Sequence, residues 1–134
     1  SDALAGTQGR LVLNLSAAEL RSFTLTLSND AGDALHLGFA ADTGQWWIDR
    51  RGAGDVVFHP AFAGRHTAPR LSAAAGTDLQ LWLDTGSVEL FADGGLSVMT
   101  SLFFARQPWR QATLLAEAGW AVRQLRVQPL RDPR

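Results

Sequence analysis

The segment LQLWLDTGSVELFADGGLSVMT, residues 79–100, decides the fold of this chain. Apolar and polar residues alternate along it with the period of two that is typical of half-buried β-strands. Thr85-Gly86 is suited to a two-residue hairpin turn, because glycine adopts positive φ at no steric cost. A turn there pairs residues of like character across the two strands: Leu83 with Val88, Trp82 with Glu89, and Leu81 with Leu90. A second turn at Asp93-Gly94-Gly95 makes the segment three antiparallel strands.

The same alternation recurs through the rest of the chain, with turn-forming residues every ~8–12 positions. Further strands are predicted at residues 10–15, 22–27, 35–39, 45–51, 112–116 and 120–127. Residues 16–21 could form one helical turn or a loop, and residues 52–69 are predicted to form a long connection. Because no segment shows a convincing helical period, we predict an all-β sandwich of about ten to twelve strands. The predicted core consists of alternating apolar residues: Leu11, Leu13, Phe23, Leu25, Leu35, Leu37, Leu81, Leu83, Val88, Leu90, Val122 and Val127.

The composition excludes several classes of function. A length of 134 residues predicts one domain over residues 1–134, large enough to bury a core without disulfides. The net charge of −1 gives no electrostatic basis for binding nucleic acid or an anionic membrane, and no apolar run reaches the ~18 residues that span a bilayer. Asp78, Asp84 and Asp93 lie at predicted strand ends or turns, where loop oxygens could hold calcium as in lectin-like sandwiches, but they lack the D-x-D-x-D spacing of a calcium loop. With no cysteine and three dispersed histidines, we predict no metal site and no cofactor.

Several motifs in the middle of the chain resemble those of one enzyme family. DTGSVELF, residues 84–91, is similar to its D-R-S-S-V-E-V-F signature, and WIDRRGAG, residues 47–54, is similar to its aromatic-x-D-R-x-x-S-G motif. Further matches follow in family order: Phe58 and Phe62 (F-x-x-x-F), Ala68-Pro69 (A-P), residues 92–95 (small-x-D-G), and Thr100 with Phe103-Phe104 (T-x-x-I-F-P). The chain departs from the family at Ala53, where serine is usual, and at Thr85-Gly86, where R-S is usual.

Over about residues 35–105 the chain therefore resembles the C-terminal β-sandwich of glycoside hydrolase family 32, which comprises invertases, levanases, inulinases and fructosidases. The related levan-binding modules of carbohydrate-binding module family 66 share the sandwich of that family. The resemblance implies a two-sheet sandwich of the lectin-like jelly-roll type, linked to a five-bladed propeller that carries the catalytic carboxylates. It also implies an extracellular or periplasmic location, although no signal segment is present.

The catalytic motifs of the family's propeller are missing from this chain. The nucleophile motif W-x-N-D-P-N-G is absent, and the acid/base E-C motif cannot exist without cysteine. Arg131-Asp132-Pro133 spells the propeller's R-D-P, but it lies in a terminal tail without partner carboxylates. We therefore expect a non-catalytic domain that is excised from a larger enzyme, plausibly a β-fructosidase.

The polar face of the predicted hairpin is the first candidate binding site. Trp82 offers an aromatic plane for the C–H face of a sugar ring, and Asp84, Ser87 and Glu89 offer oxygens that can bind hydroxyls. A structural interpretation exists as well: Asp84 and Ser87 can cap their own hairpin, and Glu89 can pair with an arginine. Asp84 and Glu89 also lie close enough for a catalytic carboxylate pair, which the missing enzyme motifs argue against.

The strand at residues 45–51 carries the second candidate site. Trp47, Asp49 and Arg51 share one face, where an aromatic ring, a carboxylate and a guanidinium could hold vicinal hydroxyls. The alternative is an ion pair between Asp49 and an arginine beside a core tryptophan. Arg65, in the predicted connection, is a further candidate hydrogen-bond donor to the sugar.

The opposite face of that strand carries Trp46, Ile48 and Arg50, and the sequence leaves open which face is buried. If Arg50 points inward it must be paired, because an uncompensated buried charge is very costly. Asp84 and Glu89 are its predicted partners, and Arg50 is otherwise a candidate donor to the ligand.

Two functions from different classes remain open on these residues. The first is a non-catalytic carbohydrate-binding module for β-fructan (levan or inulin), gripped at a terminal fructosyl unit; an independent lectin would share its site. The second is a structural sandwich that supports the propeller or a dimer interface and binds no sugar. Solvent-facing Trp82 and Trp47 around a cavity would favour binding, whereas a broad flat apolar patch would favour an interface.

Overall fold

Two antiparallel β-sheets pack face to face in this chain. The computed structural model describes residues 11–50, 65–84, 86–102 and 109–116, together with the strand pairing of residues 2–3 and 122–129. Within them lie eleven strands: β1 (Asp2–Ala3), β2 (Leu11–Ala17), β3 (Phe23–Ser28), β4 (Ala34–Ala40), β5 (Gln45–Asp49), β6 (Arg65–Pro69), β7 (Thr77–Leu83), β8 (Ser87–Ala92), β9 (Ser97–Leu102), β10 (Gln111–Ala116) and β11 (Val122–Pro129).

The six-stranded sheet has the order β1-β10-β3-β4-β5-β6, and the five-stranded sheet has the order β11-β2-β7-β8-β9. The prediction of an all-β, two-sheet sandwich is confirmed. Of the two alternatives for residues 16–21, the helical turn is wrong: β2 continues to Ala17, and residues 18–21 form a loop. The prediction for residues 52–69 needs correction, because β6 lies inside the predicted connection. β6 escaped prediction because its sequence RHTAP is exposed at a sheet edge and carries no apolar alternation. No helix in the described ranges is long and apolar enough to cross a membrane.

The central hairpin has the register that the alternation predicts. β7 and β8 pair Leu83 with Val88, Trp82 with Glu89, and Leu81 with Leu90. The backbone N–H of Asp84 donates to the Ser87 carbonyl at 3.1 Å and closes the turn, in which Thr85 lies outside the described residues. A 3₁₀ turn at Asp93–Gly95 then leads into β9.

The core lies between the two inner faces of the sheets. All the predicted core residues whose side chains are described are buried: Leu11, Leu13, Phe23, Leu25, Leu35, Leu37, Leu81, Leu83, Val88 and Leu90. The side chains of Val122 and Val127 lie outside the described part. The sequence left open which face of β5 is buried. The structure buries the face of Trp46 and Ile48, whose side chains are fully buried.

Gly38 marks a close approach between two strands of the six-stranded sheet. A Cβ at this position would collide with the carbonyl oxygen of Phe23 on the neighbouring strand. Because backbone cannot move aside like a flexible side chain, Gly38→Ala is expected to lower the free energy of unfolding by ~2–3 kcal/mol. Chemical denaturation measures this loss. Gly44→Asn is the matched control, since Gly44 has a φ of 66° and open space around it, which asparagine tolerates. A Gly38→Ala variant as stable as the control would contradict the close approach.

Candidate functional site

The outer face of the five-stranded sheet, which points away from the other sheet, carries the first predicted cluster. Trp82 is 42% exposed there, because its neighbours Leu81 and Leu83 face the core. The indole N–H of Trp82 donates to Gln80 Oε1 at 2.7 Å, and Gln80 Nε2 donates to Asn14 Oδ1 at 3.1 Å. These two hydrogen bonds satisfy the N–H group of the indole and fix the orientation of the ring. The ring therefore offers a flat apolar surface to a ligand.

Glu89 lies directly across from Trp82 on β8, and its side chain is exposed. Thr100 of β9 is its partner on the other side. No arginine in the described ranges forms an ion pair with Glu89, so the structural interpretation of this residue finds no support there. The pair therefore places a carboxylate acceptor beside an aromatic plane, which is the combination that sugar recognition needs.

Asp84 and Ser87 cap the hairpin, as the structural interpretation of these two residues predicted. Asp84 Oδ1 accepts hydrogen bonds from the backbone N–H of Gly86 and of Ser87, both at 2.7 Å, and from Ser87 Oγ at 3.3 Å. One carboxylate oxygen thus satisfies three donors of the turn. The structure gives these two residues the task of holding the hairpin that presents Trp82 and Glu89, and direct contact with a ligand stays a prediction for them.

The second predicted cluster lies on the outer face of the six-stranded sheet. Trp47 and Asp49 are half-buried, and the guanidinium carbon of Arg65 sits 4.6 Å from the ring centroid of Trp47. A cation in this position is attracted by the ring and covers one of its faces. Arg65 is also the Cα partner of Asp49 across β5 and β6. Arg51 lies outside the described residues.

Arg50 is buried at the end of β5, and its predicted partners are wrong. Arg50 Nη1 donates to the backbone carbonyl of Leu102 at 2.7 Å, which links the end of β5 to β9 of the other sheet. Burial lowers the pKa of Arg50 from its ordinary value. Asp84 is engaged in its own turn and Glu89 points outward, so neither carboxylate reaches this guanidinium.

The fold places the two predicted clusters on opposite outer surfaces. Trp46 and Ile48 face the core from one sheet, and Leu81 and Leu83 face it from the other. Because successive residues of a strand point to opposite sides, Trp47 and Trp82 point away from each other across the whole sandwich. One sugar unit cannot contact both clusters.

Two surface features beside the first cluster were not predicted. A groove of about 580 Å³ crosses the outer face of the five-stranded sheet, next to Gln80. Phe91, which follows Glu89 by two positions and so shares its face of β8, lines this groove. At the sheet edge, Leu96 just before β9 and Val98 and Leu102 within it are exposed and form a short apolar strip, which Thr100 interrupts.

The predicted loop aspartates do not form a cation site. Asp84 and Asp93 lie at opposite ends of β8, and Asp93 is engaged by Arg70 and Thr77. No group of three or more histidine, aspartate or glutamate side chains that could hold a metal occurs in the described part of the chain. His36 instead forms a hydrogen bond through Nδ1 with Thr26 Oγ1 at 2.8 Å.

Comparison with known proteins identifies the sandwich. The family profile "Glycosyl hydrolases family 32 C terminal" matches residues 1–129. This chain belongs to that family. The exo-inulinase from Aspergillus awamori contains a similar sandwich, with a TM-score of 0.76 and 23% sequence identity over 96% of this chain and 26% of that chain. That likeness shows a shared fold.

Two enzymes show the similarity of this family 32 C-terminal domain at the level of sequence. The levanase of Bacillus subtilis (strain 168) is 28% identical over an alignment that covers 75% of this chain and 17% of the levanase. The sucrose-6-phosphate hydrolase of Vibrio alginolyticus is 37% identical over 61% of this chain and 16% of that enzyme. The chain thus spans less than a fifth of the length of either enzyme.

Residues of the family 32 signature DTGSVELF have two structural roles in this domain. Asp84 and Ser87 cap the turn, and Val88 and Leu90 fill the core. Glu89 is left with no packing or capping task in the described structure.

Proposed function

We propose that this domain is a non-catalytic accessory module that binds β-fructan, such as levan or inulin, on the outer face of its five-stranded sheet. The observation that carries the proposal is the exposed indole of Trp82, anchored through its N–H and flanked by the exposed carboxylate of Glu89. The ring stacks on the C–H face of a terminal fructosyl unit, and Glu89 accepts hydrogen bonds from its hydroxyls.

The similarity of this domain to parts of enzymes that act on fructose-containing substrates supports β-fructan as the ligand. One relative is a levanase and one structural neighbour is an exo-inulinase. The catalytic carboxylates then belong to a linked propeller domain, and this module acts by proximity, raising the local concentration of substrate around that domain. An extracellular or periplasmic location and a relation to carbohydrate-binding module family 66 go with this proposal as predictions.

A site of a few hydrogen bonds and one stacked ring corresponds to a modest affinity. We expect a Kd between ~1 mM and ~10 µM for the module, which is roughly −4 to −7 kcal/mol. Such weak binding suits a module that must release polymer as the linked enzyme degrades it.

Calorimetric titration of the 134-residue chain with levan, inulin and fructose tests the proposal. Glu89→Ala is expected to weaken binding ~10–100-fold, because it removes a charged hydrogen-bond acceptor worth ~1.5–3 kcal/mol. Trp82→Ala is expected to weaken it by a similar factor. Glu19→Ala is the control for loss of an exposed carboxylate, and Trp47→Ala is the control for loss of a half-buried tryptophan on the other sheet.

The controls also locate the site. Loss of binding in Trp47→Ala with retention in Trp82→Ala would transfer the site to the cluster of Trp47, Asp49, Arg51 and Arg65. Absence of heat with every fructan would overturn fructan binding.

A second candidate function rests on the apolar strip of β9. Val98 and Leu102 of β9 and the preceding Leu96 are exposed at the edge of the five-stranded sheet, where a propeller or a second copy could cover them. On this alternative the domain is a structural support with no sugar binding of its own. The same titration separates the two, since a purely structural domain gives no heat with any of the three ligands.

A further inference from the structure

The groove beside Trp82, named here the β7 groove, has a polar floor built by two strands. β2 and β7 pair Asn14 with Gln80 and Ser16 with Asp78, and these four side chains point to the outer face. Phe91 of β8 and the glycines of the Asp93–Gly95 turn line the groove as well. Its volume of about 580 Å³ lies in the range of ~300–1,000 Å³ that small-molecule sites occupy.

The hydrogen bonds of the floor leave donors and acceptors available for a ligand. Gln80 is committed on both sides, since it accepts from Trp82 and donates to Asn14. Asn14 uses only its side-chain carbonyl oxygen in the hydrogen bond from Gln80, so both N–H groups of its amide stay available for a ligand. Ser16 and Asp78 form no side-chain hydrogen bond within the described residues, and the carboxylate of Asp78 is exposed.

The chemistry of the lining favours a neutral polyhydroxylated ligand. The described lining contains one carboxylate, one hydroxyl, two amides and an aromatic ring, and it contains no basic side chain. A phosphate or other anion would find no counter-charge there and would face Asp78. Sugar hydroxyls, by contrast, can both donate to Asp78 and accept from Asn14, while Phe91 contacts the apolar parts of the rings.

The β7 groove adjoins the proposed fructosyl site, because Gln80 lines the groove and accepts a hydrogen bond from the indole N–H of Trp82. Trp82, Gln80 and Asp78 are alternate residues of β7, and a strand rises ~3.4 Å per residue, so the line from Trp82 to Asp78 is ~14 Å long. A further depression of about 510 Å³ adjoins Asp78 on the side away from Trp82. This surface is longer than a single furanose ring.

We propose that the β7 groove is an extended subsite that binds the fructosyl units following the terminal one, along β7 from Trp82 past Gln80 to Asp78. The inference rests on the proposed function and narrows its ligand class to oligosaccharides of about three or more units. The chain length of the ligand, and not the terminal unit alone, then determines affinity.

A chain-length series tests this inference. Calorimetric titration of the full chain with fructose and with fructan di-, tri- and tetrasaccharides is expected to give an affinity that rises at least ~10-fold from fructose to the trisaccharide and then levels off. Asp78→Ala and Asn14→Ala are each expected to reduce the trisaccharide-to-fructose affinity ratio to about 1–3. Asp42→Ala removes an equally exposed carboxylate from a turn of the six-stranded sheet and is expected to keep the full ratio.

The outcomes distinguish this inference from the proposal beneath it. Equal affinity for fructose and for all longer ligands would overturn the extended subsite and leave fructan binding in place. A ratio that rises with length but is unchanged in both variants would move the subsite out of the β7 groove and overturn its assignment. Absence of heat with any ligand of the series would overturn the proposed function itself, together with this inference.

Discussion

Asp93→Ala is expected to lower the free energy of unfolding by ~3–5 kcal/mol, because it breaks a buried ion pair and leaves a guanidinium uncompensated. The side chains of Asp93 and Arg70 are only 5% and 12% exposed. Asp93 Oδ2 accepts from Arg70 Nε at 3.1 Å, and Asp93 Oδ1 accepts from Arg70 Nη2 at 3.3 Å and from Thr77 Oγ1 at 2.7 Å. The loss is a large share of the ~5–15 kcal/mol that stabilises a typical domain.

The position of this ion pair in the chain explains its importance. Arg70 follows β6 of the six-stranded sheet and Thr77 begins β7 of the five-stranded sheet, so Asp93 secures the crossover between the two. Arg70 Nη2 also donates to the Gly76 carbonyl at 2.7 Å within that crossover. Removing the carboxylate therefore releases the connection as well as the charge.

Chemical denaturation monitored by tryptophan fluorescence measures the effect of Asp93→Ala. Asp93→Asn separates the effect of the lost charge from that of backbone strain, because asparagine, like aspartate, tolerates the φ of 56° at this position. Asp30→Ala is the matched control: Asp30 and Arg110 form an ion pair at 3.2 Å, but they are 65% and 58% exposed, so ~0–1 kcal/mol is expected. Similar losses for Asp93→Ala and Asp30→Ala would contradict the buried pair, and a double variant with Arg70→Ala should lose less than the two single variants summed.

Trp46→Ala is expected to cost ~3–5 kcal/mol, the usual range for truncating a fully buried tryptophan. Trp46 is fully buried, and its ring lies 4.9 Å from that of Phe39 and 6.3 Å from that of Phe23. The three aromatic residues are neighbours across β3, β4 and β5, so they form one row of the inner face. Alanine leaves a cavity that this stiff row cannot fill.

Equilibrium denaturation of matched tryptophan variants checks the prediction for Trp46. Trp82→Ala makes the same chemical change at a position that is 42% exposed, and a loss of at most ~1.5 kcal/mol is expected, because only partial packing and one exposed hydrogen bond are lost. Trp46→Phe should cost less than Trp46→Ala, because it retains an aromatic ring and deletes an indole N–H that has no hydrogen-bond partner in the described structure. A loss in Trp82→Ala equal to that in Trp46→Ala would show that the wrong tryptophan was assigned to the core.

The central hairpin shows how much of the fold the sequence could predict. Its register followed from two local constraints, a glycine-containing turn and a period of two, and all three predicted pairs are present. Burial of the core leucines followed from the same alternation. The edge strand β6 was missed because an exposed edge imposes no apolar alternation on its residues.

The candidate site could be predicted only in part. Alternation placed Trp82 and Glu89 on one face, and the structure agrees. The same argument could not tell that Asp84 would be occupied by its own turn or that Arg50 would bond to the carbonyl of Leu102. Those outcomes depend on atoms brought together by the chain reversal and by the approach of Arg50, which follows β5, to Leu102 of β9, and neither is a property of local sequence.

The sequence by itself determined the strand character of the chain, the pairing within the central hairpin and the membership of most of the core, because each depends on neighbours within a few residues. Tertiary structure alone decided which tryptophan of the Trp46-Trp47 pair is buried, and it placed the two predicted clusters on opposite surfaces. It also created the β7 groove by laying Asn14 and Ser16 beside Gln80 and Asp78, residues more than sixty positions away along the chain. The physical reason is that a strand's alternation defines two faces, whereas only the packing of one sheet on another decides which face loses its contact with water.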